Sequence, residues 1–170
     1  IFSSPFDNSA VDFLEELSCP AYKIASFEMV DHNLIKKVAA TSKPILISTG
    51  LANQLEIQEA VKVANKAGCQ DLVLFHCISG YPTPISEANL LTISDLKEKY
   101  TIPIGFSDHT KGISASISAI AIGASMIEKH FTINQSDRGY DTQFSLDKDD
   151  MFDLVKLCHE AWEAIGKVNY

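Results

Sequence analysis

The stretch IPIGFSDHTKGISASISAIAIGASMIEKHF, residues 102–131, decides the fold because it contains a complete strand–helix–strand unit. Short apolar runs at its two ends, Ile102–Phe106 and Ser125–Phe131, predict buried strands. The segment ISASISAIAIG between them starts at Ile113, has helical spacing and stops at Gly123. Neighbouring strands joined by a helix run parallel, so this unit predicts a parallel sheet with helices packed outside it.

The same alternation extends along the rest of the chain. Further apolar runs predict strands at Ile1–Ser4, Ala21–Ser26, Pro44–Ser48 and Leu72–Cys77. Segments with helical spacing predict helices near Val11, Asn33, Leu55, Asn89 and Asp149. The expected caps and stops of the helices are Asp7 or Asn8, Asp31, Gly68, Gly123 and Gly166. Helical spacing in the last helix predicts core positions for Phe152 and Trp162. The chain therefore has six predicted β/α units.

Two architectures share this alternation, an open doubly wound sheet and a (β/α)8 barrel. An open nucleotide-binding sheet carries a glycine-rich phosphate loop after its first strand, and neither GxGxxG nor a P-loop occurs in this sequence. A barrel instead places polar residues at the strand ends, as KIASFE, STG, HCISGYP, FSDHT and EKHF do. We therefore expect a (β/α)8 barrel. The chain opens on IFSSPF without Met, so we expect a piece of a longer protein that lacks the first two barrel strands.

Composition and charge narrow the class of partners and the compartment. The net charge of −8 argues against nucleic acid or an acidic membrane as a partner, whereas a local group of Lys and Ser can still bind a small anion. No run of eighteen apolar residues occurs. The four cysteines lack both CxxC spacing and the density of a disulfide scaffold. These features predict a soluble, cytoplasmic protein that binds small molecules.

Two histidines lie where an apolar run passes into a polar turn, His109 in FSDHT and His130 in IEKHFT. The carboxyl ends of parallel strands converge on one face, so two imidazoles there can share one divalent metal. Taken singly, each histidine is as readily a structural residue with a hydrogen-bonded neighbour. As a pair on successive strands they favour a metal with positions left open for water and substrate.

Other polar residues of the strand ends suit an anion. Lys23 lies inside the apolar run YKIAS, where it needs an anion or solvent as its partner or serves as a Schiff-base amine. Serines follow the strand ends, where hydroxyls and amides can hold phosphate: Ser26, Ser48, Ser79 and Ser107. Each serine alone is more typical of a turn or helix cap, but four at equivalent places favour a phosphate site. Glu28 is a candidate acid or base, or the start of the next helix.

The strings SSPFD, YKIASFE, ILISTG, YPTPISEANL, GFSDHT, IEKHFT and FSLD occur in this order, and together they resemble the sialic acid synthase (NeuB-type) family over essentially all 170 residues. Members of that family condense phosphoenolpyruvate with an amino sugar to give a nonulosonic acid and phosphate. KIASFE in place of KIGSGE, and the tail FSLDKDD, are most similar to the pseudaminic acid branch, which uses a diacetamido-trideoxy-altrose. The N-acetylneuraminate and legionaminic acid branches are the alternatives.

The resemblance implies a role for each matching position. The metal ligands would be His109 and His130, holding Mn²⁺ or a similar ion such as Mg²⁺ or Co²⁺. The phosphoenolpyruvate-binding positions would be Lys23, Ser26, Ser48 and Ser107, together with Ser79, which replaces an amide side chain of the neuraminate branch. The sugar-binding positions would be Tyr81 and Asp141. The catalytic positions would be Lys23 and Glu28, where the neighbouring Phe27 replaces a glycine.

The resemblance also implies parts that lie outside residues 1–170, which we expect to form one partial barrel domain. The family's barrel begins with two further strands that contribute to the site. A small antifreeze-like domain follows the barrel and donates an arginine to the partner subunit of a homodimer. The isolated chain is therefore expected to have little or no activity.

Three other functions remain open from the residues alone. A class I aldolase would use Lys23 as its Schiff-base amine. A metal-dependent hydrolase would use His109 and His130, although such sites usually have more ligands. A barrel that binds a sugar without catalysis would not consume phosphoenolpyruvate.

Overall fold

The computed structural model describes residues 1–136 and 139–170. Strands and helices alternate along these residues. The strands are β1 (Tyr22–Ile24), β2 (Ile45–Ser48), β3 (Leu72–Cys77), β4 (Ile104–Asp108) and β5 (Met126–Lys129). The α-helices are α1 (Asn8–Glu16), α2 (His32–Ala39), α3 (Gln54–Lys66), α4 (Leu91–Lys99), α5 (Ser114–Ala121) and α6 (Lys148–Ile165). Short 3-10 helices occur at Glu28–Val30, Ile85–Glu87 and Thr142–Phe144.

The chain divides into two compact units, Ile1–Phe75 and His76–Tyr170. In the first unit, β1, β2 and β3 pair in parallel and in chain order, with Tyr22 opposite Ile45 and Ile45 opposite Leu72. Five apolar side chains of these strands are 0% exposed, which agrees with parallel strands that are covered on their faces: Tyr22, Ile24, Ile45, Ile47 and Leu74.

In the second unit, β4 and β5 pair in parallel, with Gly105 opposite Met126. Helix α5 connects these two strands and packs against α6. Consecutive parallel strands joined by helices are the repeating unit of a (β/α)8 barrel. The prediction of an α/β fold that supplies part of such a barrel is therefore confirmed.

The first predicted strand is wrong. Of residues 1–4, Ser3 alone takes part in sheet pairing, through a single parallel bridge to Tyr22. Ile1 and Phe2 are exposed, so this apolar run is not buried in a sheet. The described residues therefore contain five strands rather than six.

Helix boundaries follow local capping chemistry. Asp7 accepts a hydrogen bond from the amide of Ala10 at 2.8 Å, and Asp31 accepts from the amides of Asn33 and Leu34. The predicted stops lie just beyond α3, α5 and α6 and have positive φ angles: Gly68, Gly123 and Gly166. The expected starts of α1 and α2 and the three expected stops are confirmed, with Asp7 rather than Asn8 as the cap of α1.

The core positions predicted in α6 are wrong. Phe152 and Trp162 are 69% and 62% exposed, whereas Leu154 is buried. Helical spacing identifies an apolar stripe, but it does not say whether a neighbouring element covers that stripe.

The cysteines Cys19, Cys69, Cys77 and Cys158 are free thiols. Within residues 1–136 and 139–170, no helix is long and apolar enough to cross a lipid bilayer.

Candidate functional site

Strands β4 and β5 carry two successive cross-strand pairs of polar residues. Ser107 lies opposite Glu128, and Asp108 lies opposite Lys129. Because successive residues of a strand point to opposite faces, the two pairs lie on opposite faces of the sheet. On the first face, the Ser107 hydroxyl donates to Glu128 Oε1 at 2.7 Å. Ser107 was expected after the strand and instead lies within it.

The two histidines directly follow these strands and lie side by side. The ring centroids of His109 and His130 are 5.2 Å apart, and the rings are inclined by 65°. His109 Nδ1 lies 3.0 Å from the carbonyl oxygen of Ile78. A carbonyl only accepts, so Nδ1 carries the proton and the lone pair of Nε2 is left for another partner. His130 Nδ1 lies 3.5 Å from Asp141 Oδ2.

This donor set fits a divalent metal with open coordination positions. Metal-bound imidazoles usually donate their second ring nitrogen to a carbonyl or carboxylate, as His109 and His130 are placed to do. Burial lowers the pKa of His109, which favours the neutral, ligating form at neutral pH. In the described parts of the chain, no group of three His, Cys, Asp or Glu side chains is placed to hold a metal, so two protein ligands are the most this cluster offers.

An aromatic wall lies beside the histidines. The ring of Tyr81 is 4.3 Å from that of His109 and 6.1 Å from that of His130, and it is half exposed. Phe144 is buried and packs 5.0 Å from His130. The structure therefore brings together four sequence-predicted residues in the second unit, namely His109, His130, Tyr81 and Asp141. The sequence reasoning missed Phe144, because a single Phe before a turn carries no signal of its own.

A buried ion pair occupies the opposite face of β4 and β5. Lys129 Nζ lies 3.0 Å from Asp108 Oδ2, and the two side chains are 1% and 0% exposed. Lys129 also donates to the carbonyl of Thr110 at 2.5 Å. Asp108 accepts from the Ser116 hydroxyl at 2.6 Å and from the Thr110 amide at 2.8 Å. Burial lowers the pKa of Lys129, and the Asp108 carboxylate opposes that shift.

In the first unit, the predicted anion-binding residues lie within or just after β1 and at the end of β2. Lys23 is buried within β1, and its ammonium lies 5.6 Å from the ring centroid of Phe75. Ser26 is also buried, and its hydroxyl accepts from the amide of Gly50 at 3.1 Å. Ser48 is the last residue of β2 and is 2% exposed. The placement of these three residues agrees with the sequence reasoning, and their roles stay predictions.

Buried side-chain oxygens without a hydrogen-bond partner occur in both units. Among the described residues they belong to Glu28, Ser48, Ser79 and Thr110. A buried polar atom left unpaired costs about 1–3 kcal/mol, so such atoms mark places where water or a ligand completes the bonding. Three of the four belong to residues that the sequence predicts for the site. Thr110 was missed, although it directly follows His109.

The whole chain, residues 1–170, matches the NeuB family. It is 44% identical over 167 residues to the pseudaminic acid synthase of Helicobacter pylori, covering 98% of this chain and 49% of that protein. It is 40% identical over 166 residues to the N,N'-diacetyllegionaminic acid synthase of Campylobacter jejuni, covering 96% of this chain and 50% of that protein.

A solved structure is similar as well. The N-acetylneuraminic acid (sialic acid) synthetase of Leptospira borgpetersenii, in complex with citrate, superposes with a TM-score of 0.94 at 34% identity. The match covers 98% of this chain and 58% of that one. The chain spans about half the length of the curated relatives it matches.

Proposed function

This chain belongs to the NeuB family, and on that premise we propose that the protein containing it condenses phosphoenolpyruvate with an amino-sugar aldehyde. The products are a nonulosonic acid, which is a sialic-acid-like sugar acid, and inorganic phosphate. The relatives named as pseudaminic, legionaminic and sialic acid synthases support this reaction class.

One observation carries the proposal, the geometry of His109 and His130. Their rings stand 5.2 Å apart at the ends of neighbouring strands, and each Nδ1 has an oxygen acceptor within 3.5 Å. With Nδ1 of each ring turned to an acceptor, Nε2 is the nitrogen that we propose for a shared ion. We propose that the two histidines hold Mn²⁺, with Mg²⁺ or Co²⁺ as other ions that two imidazoles accept. When bound, such an ion acts as a Lewis acid that polarises a carbonyl oxygen.

Phosphoenolpyruvate is an anion, so a site that binds it needs a positive charge and hydrogen-bond donors. We propose that Lys23 binds phosphoenolpyruvate as a charged ammonium rather than as a Schiff-base amine, and that Ser26 and Ser48 donate to its anionic oxygens. The unpartnered hydroxyl of Ser48 supports this role, because a donor without a protein partner is available to a ligand. In the second unit we propose phosphoenolpyruvate binding for Ser107 and Ser79.

Proton transfer requires a titratable group. The reaction joins C3 of phosphoenolpyruvate to the aldehyde carbon, adds water at C2, and then breaks the bond between C2 and the phosphate oxygen. Water that adds at C2 loses a proton, and we propose that Glu28 accepts it. The buried and unpartnered Oε2 of Glu28 supports this role.

The identity of the amino sugar distinguishes the branches of the family. We propose the diacetamido-trideoxy-altrose of the pseudaminic acid branch, with Tyr81 and Asp141 as sugar-binding residues. Relatives with that name match this chain at 44% and 41% identity, which supports the choice. The second candidate is a legionaminic or N-acetylneuraminic acid synthase, which the 40% identity to a legionaminic acid synthase favours.

The test uses the full-length protein, phosphoenolpyruvate and the amino sugar of each candidate branch in turn. We expect phosphate release and a nonulosonic acid, seen by mass spectrometry, with the altrose derivative. Release with N-acetylmannosamine alone would instead assign the neuraminate branch. Borohydride trapping with pyruvate separates the aldolase alternative, because it would label Lys23 only in a Schiff-base enzyme.

The location and the oligomeric state of the full-length protein are also proposals. We propose a cytoplasmic location, because phosphoenolpyruvate is a cytoplasmic metabolite and the cysteines are free thiols. We propose a homodimer on the family resemblance alone. Since the curated relatives are about twice as long as this chain, we propose that residues 1–170 alone have little or no activity. Robust turnover by that segment would contradict this point.

A further inference from the structure

We propose that the buried pair of Asp108 and Lys129 positions His109 and His130, by fixing the separation and orientation of the two imidazoles across β4 and β5. The inference rests on the proposed function, since it takes the two histidines as the metal ligands. Both paired residues act through the histidines and not through contact with substrate.

The pair ties the two strands together one residue before each histidine. Asp108 and Lys129 are directly opposite in the parallel register, and their charged atoms are 3.0 Å apart. Because they point away from the face that bears the histidines, they are able to hold the strand ends without occupying space beside the imidazoles. Ser116 of α5 donates to the same carboxylate oxygen at 2.6 Å, which extends the tie to the helix layer.

Lys129 holds the chain on both sides of His109. Its ammonium reaches the side chain of Asp108, which precedes the histidine, and the carbonyl of Thr110, which follows it. The Thr110 amide donates in turn to Asp108 Oδ1 at 2.8 Å. Lys129, Asp108 and Thr110 thus form a closed ring of polar contacts that encloses the backbone of His109. This ring limits rotation of the backbone from Asp108 to Thr110.

The carbonyl oxygens of the histidines are fixed as well. The amide of Thr83 donates to the carbonyl of His109 at 2.9 Å, and the amide of Leu146 donates to the carbonyl of His130 at 2.9 Å. These bonds hold each strand end to a neighbouring segment. Two side-chain contacts join β4 to β5 before the histidines. The Ser107–Glu128 hydrogen bond lies two residues before them, and the Asp108–Lys129 ion pair lies directly before them.

A buried ion pair is by itself weak evidence of a stabilising role. Apolar side chains of similar size usually replace a buried ion pair at no loss of stability. Apolar side chains would leave the Thr110 carbonyl and the Ser116 hydroxyl without their partners. They would also form no hydrogen bond or ion pair that fixes the position of β4 relative to β5. Two metal ligands on separate strands need a fixed separation and orientation, because a shift of about 1 Å in a positioned group is enough to impair a site.

The test compares variants of the full-length protein. Lys129→Met and Asp108→Asn each leave one buried partner alone, whereas the double variant D108N/K129M is neutral and retains an acceptor for the Thr110 amide. Lys43→Met is the matched control, because it removes the lysine of the Lys43–Glu15 ion pair in the first unit. Thermal unfolding reports stability, and electron paramagnetic resonance of free Mn²⁺ reports metal affinity without any turnover.

We expect the double variant to fold and to bind Mn²⁺ at least about tenfold more weakly, as loss of an outer-shell partner does elsewhere. The control should bind Mn²⁺ as the wild type does. A second readout uses metal-free protein, in which nitrogen NMR shifts of His109 report its tautomer. We expect one Nδ1-protonated tautomer in the wild type and a mixture in the double variant.

A folded D108N/K129M protein with wild-type Mn²⁺ affinity and a single tautomer would overturn the proposal and leave the pair a purely structural role. If the wild type itself binds no Mn²⁺, the metal part of the proposed function fails, and the tautomer readout alone then decides this inference. Should D108N/K129M not fold, the variant D108N/K129Q, which keeps a donor for the Thr110 carbonyl, decides by the same two readouts.

Discussion

His109 and His130 stand with their ring centroids 5.2 Å apart, and Nδ1 of each ring faces an oxygen atom of a different segment, at 3.0 Å for His109 and 3.5 Å for His130. The acceptor of His109 is a backbone carbonyl, which no side-chain substitution removes. The acceptor of His130 is the carboxylate of Asp141, which is half exposed. The two imidazoles therefore differ in how firmly their Nδ1 atoms are held.

Removing the metal should abolish activity reversibly. Dialysis of the full-length protein against a chelator is expected to stop phosphate release, and added Mn²⁺ should restore it, because the carbonyl is no longer polarised without the ion. His109→Ala should remain inactive after Mn²⁺ is added back, with a loss of more than about 100-fold, since even outer-shell changes cost about 10–100-fold. Full activity of the chelated enzyme would rule out a metal requirement.

Asp141→Asn should weaken metal binding while the protein stays folded. The substitution removes the negative charge that faces His130 Nδ1, so Mn²⁺ affinity is expected to fall by about tenfold. Calorimetric titration of the full-length protein with Mn²⁺ measures the change. Asp95→Asn is the control, because Asp95 forms an exposed ion pair with Lys99 on α4. Equal affinities in both variants would show that Asp141 does not orient His130.

Ser48→Ala should impair phosphoenolpyruvate binding without loss of stability. The hydroxyl of Ser48 has no partner among the described residues, so its removal breaks no internal hydrogen bond. A hydrogen bond to a charged ligand contributes about 1.5–3 kcal/mol, so KM for phosphoenolpyruvate should rise about tenfold or more. Steady-state kinetics and thermal unfolding measure the two effects.

Ser125→Ala is the matched control for this experiment. The Ser125 hydroxyl donates to the carbonyl of Ile104 at 3.1 Å, so its loss should lower stability and leave KM unchanged. If Ser48→Ala destabilises the protein and leaves KM at its wild-type value, the hydroxyl has a structural role instead.

His76 should make the protein sensitive to mild acid. Burial lowers the pKa of His76 and outweighs the opposing effect of the hydrogen bond from Nε2 to the carbonyl of Ala88 at 2.7 Å, so the folded state favours the neutral ring. The unfolded chain then binds more protons, so this contribution is complete above the unfolded pKa of about 6.5 and is lost as pH falls towards the folded pKa.

Variants separate His76 from the other titrating groups. His76→Gln keeps a donor for Ala88 but does not titrate in this range, so its stability should fall less than that of the wild type between pH 7 and pH 5. His159→Gln is the control, because His159 is exposed on α6. Denaturant unfolding at each pH measures the difference. Parallel curves for wild type and His76→Gln would exclude this residue as the source.

The fold was largely predictable because strand and helix periodicities are local properties. Gly123 stops α5 where expected, and β3 has the predicted bounds. Failures occurred where the outcome depends on neighbours. The apolar run at Ile1–Ser4 forms a single bridge, and the apolar side chain of Trp162 remains exposed, since neither sequence pattern specifies what packs against it.

The same limit applies to the candidate site. Strand ends converge in any parallel sheet, so the pairing of His109 with His130 was accessible from their positions. The Asp108–Lys129 pair was not, because it depends on the register of β4 against β5 and on which face each residue takes. Sequence spacing sets the alternation of faces along one strand, but only the pairing of two strands sets which residues meet.

The proposed condensation is tested by following the oxygen that bridges C2 and phosphorus in phosphoenolpyruvate. Phosphoenolpyruvate labelled with ¹⁸O at that position is incubated with the full-length protein, Mn²⁺ and the altrose derivative, and the released phosphate is analysed by mass spectrometry. We expect phosphate that retains the label, formed in equal amount with a nonulosonic acid and absent from His109→Ala. Unlabelled phosphate, or release that does not require an amino sugar, would contradict it.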